Sequence, residues 1–204
     1  MAKETAVMSE NAKMSPADLH KDSGVAVSEA KWYIAECKPT RERTIRAALE
    51  KMNIEAYVAS QLETHVYKSR NKRKVEKVVI PGKVFVRTQE NMLMRILLDF
   101  SAIYRFMLNR AATNESGFRP YAVVPESQMV QLQYMLGNAS NPVYLTAEDL
   151  KADQRVKVMR GPLAGFEANF MKRGHESYIV LKVEMGMSHY AITEMPIEDV
   201  QIID

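Results

Sequence analysis

The sequence predicts an α+β domain built on an antiparallel sheet, followed by a small five-stranded β-barrel. Two periodicities and one change of composition point there. Ile45, Ala48, Leu49 and Met52 recur at the i, i+3, i+4, i+7 spacing of an amphipathic helix. Runs such as residues 32–37 and 84–86 are short and aromatic or β-branched, the composition of strands. Beyond residue 138 the helical period is gone, and short apolar runs are separated by Gly161-Pro162, Gly174 and Gly186.

Each element follows in order. Residues 1–30 are rich in Ala, Ser, Lys and Glu and lack aromatics, so they read as a disordered lead-in. Order begins with a strand at Lys31. Pro39 and Thr40 break it and open the first helix, which Asn53 stops. Strands are predicted over 54–59, 62–68, 74–80 and 84–86, with a basic turn between the second and third. A helix over 91–100 carries Leu93, Ile96, Leu97 and Phe100 on one side, and a strand over 102–108 follows. Residues 111–120 are a polar loop and 121–124 a short strand. Pro125 then suits the first turn of a helix over 126–136. The domain boundaries expected are 31–137 for the α+β unit, 138–152 for a linker and 153–204 for the barrel. Its strands are predicted at 155–159, 166–171, 177–183, 189–192 and 200–203.

Composition narrows the function class. No apolar run approaches the roughly 20 residues that span a bilayer, and Lys3, Glu4, Glu10 and Lys13 interrupt any signal-peptide core. One cysteine, Cys37, permits no intrachain disulfide, which fits a reducing cytoplasm and a cytosolic monomer. His20, His65, His175 and His189 have no second ligand at metal spacing, so no metal or cofactor is expected. Neither a phosphate loop nor a nucleophile–base pair is present, which argues against an enzyme. The net charge of +3 is uneven: residues 31–137 hold 18 Lys and Arg against 10 Asp and Glu. A basic domain between weakly acidic segments is the usual footprint of a nucleic-acid neighbour.

The tail segment Val156-Lys157-Val158-Met159-Arg160-Gly161-Pro162-Leu163-Ala164-Gly165-Phe166-Glu167-Ala168 is a strand, a Gly-Pro turn and a second glycine before the returning strand. Gly161 and Gly165 supply backbone freedom and Pro162 fixes the turn. Any hairpin with a Gly-Pro turn has this grammar, but the segment also resembles the KOW motif. Upstream, Trp32-Tyr33 opens the first strand, and Pro81-Gly82-Lys83-Val84-Phe85-Val86 lies about 50 residues on. Taken together over residues 31–204, these features resemble the NusG family of transcription elongation factors, with its SH3-like KOW barrel. Cys37-Lys38, the basic hairpin and Ala168 (where the family often has Gly) are similar to specialised paralogues of the RfaH and UpxY type.

That resemblance implies binding to elongating RNA polymerase through the clamp helices of its largest catalytic subunit. The matching positions are Ile80, Pro81, Lys83 and Phe85, with Trp32 or Tyr33 at the edge. Lys83 stands where an aromatic is usual. Phe85 reads equally as interface or as strand core, since alternation sets Val84 and Val86 on one face and Lys83 and Phe85 on the other. Lys68, Arg70, Lys72, Arg73, Lys74 and Lys77 put six cations into ten residues, opposed only by Glu76. They read as a solvated loop or as a hairpin tip facing the DNA and RNA of the transcription bubble, extended by Arg41, Arg43 and Arg46. Gly161, Pro162, Leu163, Gly165 and Met185-Gly186-Met187 form the barrel loops. In the family such a loop touches Rho or a small-subunit ribosomal protein; the alternative is an ordinary turn.

The function expected is suppression of pausing or termination, operon-specific as in UpxY regulators of capsule-polysaccharide operons. A general elongation factor and a KOW-containing RNA- or ribosome-binding module are the alternatives. RfaH holds its tail as a helical hairpin. Here Tyr178-Ile179-Val180-Leu181 and Val200-Gln201-Ile202-Ile203 favour strand. The tail is therefore expected as β structure on a mobile linker, not packed over the Phe85 face.

Overall fold

Alternation along Lys31–Cys37 sets up two layers at once: Trp32 and Ile34 point to one side of this strand (β1), Tyr33, Ala35 and Cys37 to the other, and all five are buried. The computed structural model describes residues 29–66, 72–148, 150 and 154–203, without the side chains of 64–66 and 72–73. The lead-in expected over residues 1–30 therefore lies, up to residue 28, outside the described residues.

Helix α1 (Glu42–Lys51) buries Ile45 and Leu49 against the sheet. Thr40, at φ 73°, turns the chain into it, and Asn53, at φ 58°, ends it in the left-handed conformation that asparagine tolerates. Strands β2 (Glu55–Tyr57), β3 (Ser60–Val66), β4 (Lys72–Val78) and β5 (Lys83–Thr88) follow. Next come α2 (Leu93–Asp99), β6 (Ile103–Phe106), β7 (Val123–Val124) and α3 (Glu126–Asn138). The first sheet is antiparallel in the order β2-β5-β1-β6, with β7 also paired to β1. β3 and β4 form a separate two-stranded ribbon.

Register places Ile34 opposite Phe85 and Ala35 opposite Val84. Tyr33, Ala35, Val84 and Val86 pack with Ile45, Leu49, Leu93 and Ile96 from α1 and α2. Trp32, Ile34 and Phe85 pack with Met129, Leu132 and Met135 from α3. The sheet is thus covered on both faces. Glu126, in the first turn of α3, accepts a hydrogen bond from the Trp32 indole N–H (3.0 Å) and pairs with Arg87 (3.5 Å), which fixes where the helix begins.

The tail is β structure, but with six strands where five were expected. β8 (Tyr144–Thr146), β9 (Gln154–Val158), β10 (Glu167–Arg173), β11 (Glu176–Glu184), β12 (Ser188–Glu194) and β13 (Val200–Ile202) form one antiparallel sheet ordered β13-β9-β10-β11-β12-β8. The added strand comes from the segment expected as linker, and pairs Leu145 with Ala191. Its Tyr-Leu-Thr sequence is strand-prone, and it covers an edge of β12 that would otherwise be open. The mixed α/β architecture with antiparallel sheets is otherwise as the periodicities predict.

The two sheets are not independent. The outward side of α3 meets the tail: Tyr134 stacks on Phe166 with ring centroids 5.7 Å apart, and Phe166, Leu181, Val183 and Met185 share one apolar cluster with Met129 and Leu132. The tail, expected on a mobile linker and away from the Phe85 face, thus touches the N-terminal unit through α3. Leu132, Met135 and Leu136 lie on one side of α3 and Tyr134 on another, so the helix is apolar on more than one side and can serve two sheets.

Candidate functional site

The Pro81-Gly82-Lys83 turn is built from beneath. Gly82 lies at φ 72°, and a Cβ there would sit 3.3 Å from the Cys37 carbonyl oxygen. Its N–H donates to the buried Glu42 carboxylate (2.7 Å), while its carbonyl accepts from the Cys37 N–H (2.9 Å). Glu42 thus ties α1 to the turn preceding β5. The Cys37 thiol beside it is pushed up to about 11, chiefly by burial and then by the Glu42 charge, so it stays protonated and unreactive.

Of the residues matched to polymerase docking, Trp32, Tyr33, Ile80 and Phe85 are all buried, Phe85 completely. Trp32, Ile80 and Phe85 lie together in the layer under α3, whereas Tyr33 faces the other way and meets Tyr121 edge-on at 6.3 Å. Pro81 is exposed. Lys83 keeps 23% of its side chain exposed and pairs with Glu36 at 3.7 Å, a carboxylate that Arg105 also holds at 2.5 Å. The accessible part of this surface is therefore the turn and a cationic rim; the aromatics shape it from within.

The described part of the basic run lies on β4. Lys68 and Arg70 lie outside the described residues. Lys72 and Arg73 stand on β4 opposite Val66 and His65. Lys74 is exposed, and Lys77 pairs with Glu63 across the ribbon at 3.0 Å. Arg43 docks α1 on the ribbon root, donating to the Glu76 carbonyl (2.6 Å) and pairing with its carboxylate (3.3 Å). Arg46 pairs within α1 with Glu50 (3.6 Å). Arg41 opens instead on a shallow depression with Lys38 and Phe100. Among the described residues, Arg43 is the one of these three arginines with a hydrogen bond or ion pair to the ribbon. Tyr57, packed at 6.2 Å from Phe85, has its phenol pushed up to about 12, mainly by burial.

In the tail, Gly161 and Gly165 adopt φ 81° and 87° with open space at the Cβ position, so the turn needs them for backbone freedom alone. Leu163 is buried and Pro162 exposed between them. Met185 is fully buried, while Met187 is 45% exposed. Gly186 approaches so closely that a Cβ would lie 2.6 Å from the Leu108 carbonyl oxygen, and its own carbonyl accepts from the Arg110 N–H (2.9 Å). One side of this loop is clasped against the N-terminal unit and only Met187 remains at the surface.

Sequence reasoning missed the polar residues that join the parts. Gln61, buried at the ribbon root, donates to the carbonyls of Ala139 (3.2 Å) and Asn141 (3.0 Å) and accepts from the Val143 N–H (2.9 Å). Thr193 of β12 donates to the Asn141 and Pro142 carbonyls, and Gln128 of α3 accepts from the Glu184 N–H (2.8 Å). The chain expected as a mobile tether is held on both sides as far as Thr146; residues 149 and 151–153 lie outside the described residues. A glutamine with a strand period carries no signal of a partner 80 residues away.

Among the described residues no cluster of three or more metal-ligating side chains occurs, and no helix is long and apolar enough to cross a membrane. A family model described as NusG, transcription termination factor nusG, matches residues 30–133. No curated protein is matched. Among solved structures, one titled "Domain interaction in Thermotoga maritima NusG" is 17% identical, covering 86% of this chain and 98% of that one at a TM-score of 0.40. The MjSpt4:Spt5 complex, conformation A, is 13% identical, covering 85% of this chain and 98% of that one at a TM-score of 0.27.

Proposed function

We propose that this chain, which belongs to the NusG family of transcription factors, binds elongating RNA polymerase and suppresses pausing or termination at particular operons. The observation that carries the reading is the family match across residues 30–133, which takes in the whole first sheet, α1, α2 and the first part of α3. The partner surface proposed is the Pro81–Lys83 turn, with Ile80, Phe85 and Trp32 in the layer beneath it and Tyr33 on the opposite face of β1, set against the clamp helices of the largest catalytic subunit. With those side chains already buried, a helix laid here would touch the exposed Pro81 and the turn, and Lys83 and Arg105 offer partners to acids on it.

The ribbon supplies the second contact. Lys74 is exposed and Lys72, Arg73, Lys68 and Arg70 neighbour it in sequence, opposed by Glu76 alone, which Arg43 already occupies. Phosphate contacts from such a run position a protein on nucleic acid without reading sequence. Met187 and the Gly161–Pro162 turn remain for Rho or a small-subunit ribosomal protein at the KOW-like sheet. No chemical step is involved: binding favours the active polymerase over the paused one.

Affinity capture of the full-length protein from native extract, followed by genome-wide occupancy, tests the proposal. Polymerase subunits with occupancy confined to a few operons are expected. Occupancy over nearly all transcribed genes assigns a general elongation factor, and recovery of ribosomal particles without polymerase overturns the reading.

A further inference from the structure

On the α2 side of the first sheet a groove of about 360 Å³ runs between α2 and β6. Its floor is apolar: Leu93 and Phe106 are buried, and Leu97 and Tyr121 half-buried. Its rim carries Arg105, Arg110 and Arg119 against the single carboxylate of Glu36. That carboxylate is already shared by Lys83 and Arg105. Among the described residues Arg110 and Arg119 form no ion pair. At the same mouth, Met94 is 57% exposed and Leu108 44%.

Single exposed apolar side chains are ordinary, but two of them beside an apolar floor, under arginines without an ion pair, mark a surface that is covered part of the time. Arginine, methionine and aromatic residues are the types enriched at protein interfaces. We infer that this groove docks an acidic, apolar segment of another protein. Large side chains of the segment fill the floor over Leu93, Leu97 and Phe106, and its carboxylates pair with Arg110 and Arg119. Guanidinium–carboxylate pairs are bidentate and strong, and the surplus of positive charge steers such a partner and repels a basic one. A nucleic-acid strand fits less well: the floor aromatics Phe106 and Tyr121 are buried or half-buried and the exposed apolar contact is aliphatic, from Met94 and Leu108, whereas bases call for exposed flat aromatic platforms.

The test uses the full-length chain and no polymerase, so its outcome is separate from the reading above. The probes are a fluorescein-labelled peptide interleaving Glu with Leu and Phe, the same peptide with Lys for Glu, and a labelled single-stranded oligonucleotide. The acidic peptide should bind saturably, shift the methyl resonances of Leu93 and Leu97, and bind at least about tenfold tighter than either control, the scale of a hot-spot residue. The double variant Arg110→Glu, Arg119→Glu should lose that preference at an unchanged thermal midpoint. Met94→Asp, at an exposed helix position, should weaken binding independently and serves if the double variant is unstable. No binding of the acidic peptide, equal binding of the lysine peptide or the oligonucleotide, or unchanged binding by the variants overturns the inference. Self-association of the chain that the same variants abolish would assign the groove to a second copy instead, and so overturn it too.

Discussion

Gln61 shows how much one buried amide decides. It satisfies two carbonyls and one N–H of the connector at once. Gln61→Leu keeps the volume and removes all three partners, and each buried polar group left unpaired costs about 1–3 kcal/mol. The urea midpoint of unfolding should fall accordingly, with the slope unchanged. Cys37 yields a pH prediction. The unfolded thiol gives up its proton near the ordinary value of 9.0, the folded one not until about 11. The folded state therefore binds the extra proton between those values, and the stability this contributes, complete below pH 9, is lost as pH rises through 11. Urea unfolding across that interval should show stability falling, less steeply in Cys37→Ala than in the parent. Alkylation of native protein at neutral pH should be slow until denaturant is added.

At the scale of elements, β5 carries one face to α1 and α2 and the other to α3, so Phe85 is core for as long as α3 stays in place. Phe85→Ala should cost about 3–5 kcal/mol of stability, the range for deleting a buried aromatic. Calorimetry of the variant reads this directly, and a loss within about 1 kcal/mol would return Phe85 to the surface. The β3–β4 ribbon behaves oppositely. Replacing Arg70, Lys72, Arg73 and Lys74 with Ser should leave stability within about 1 kcal/mol, as surface changes usually do. It should flatten the salt dependence of binding to an assembled elongation complex, by about 0.9 in the log–log slope for each duplex phosphate no longer neutralised. An unchanged slope would leave those cations as solvated charge.

For the whole molecule, α3 is the shared wall. The first sheet and the tail sheet both bury residues against it, and Gln61, Thr193 and Gln128 hold the seams. The full chain should therefore unfold in one calorimetric transition whose van't Hoff and calorimetric enthalpies agree. Gly186→Ala should uncouple the parts. A Cβ at 2.6 Å from the Leu108 carbonyl cannot be accommodated without movement, and the left-handed backbone adds about 1–2 kcal/mol. Two separated transitions, or new proteolysis between residues 147 and 153, are the expected signs. Gly161→Ala, with the same sign of φ but open space around it, should show the strain without the separation.

Local pattern was sufficient for most of the elements. The i, i+3, i+4, i+7 spacing of Ile45, Ala48, Leu49 and Met52, the aromatic start of β1, and glycines at left-handed turns each depend on neighbours within a few residues, and those neighbours are written in the chain. The alternation along β5 likewise separated Val84 and Val86 from Phe85 before any partner was known. What covers Phe85 was not legible, because burial on a strand's second face depends on a helix about 40 residues away, and the alternation is the same whether that face meets α3 or a partner. Nor was the sixth strand. Tyr144-Leu145-Thr146 is strand-prone in isolation, but only the open edge of β12 recruits it. Gln61 and Gly186 gave least away: a glutamine's hydrogen bonds and a glycine's close approach are set by backbone atoms far off in sequence, so the tertiary packing alone made one a clasp and the other a point of close approach. The sequence by itself determined which segments are helix and strand and which faces are apolar, since those are short-range properties of side-chain order. Only the tertiary structure decided which apolar face meets which, since α3 has apolar residues on more than one side and two sheets compete to bury them.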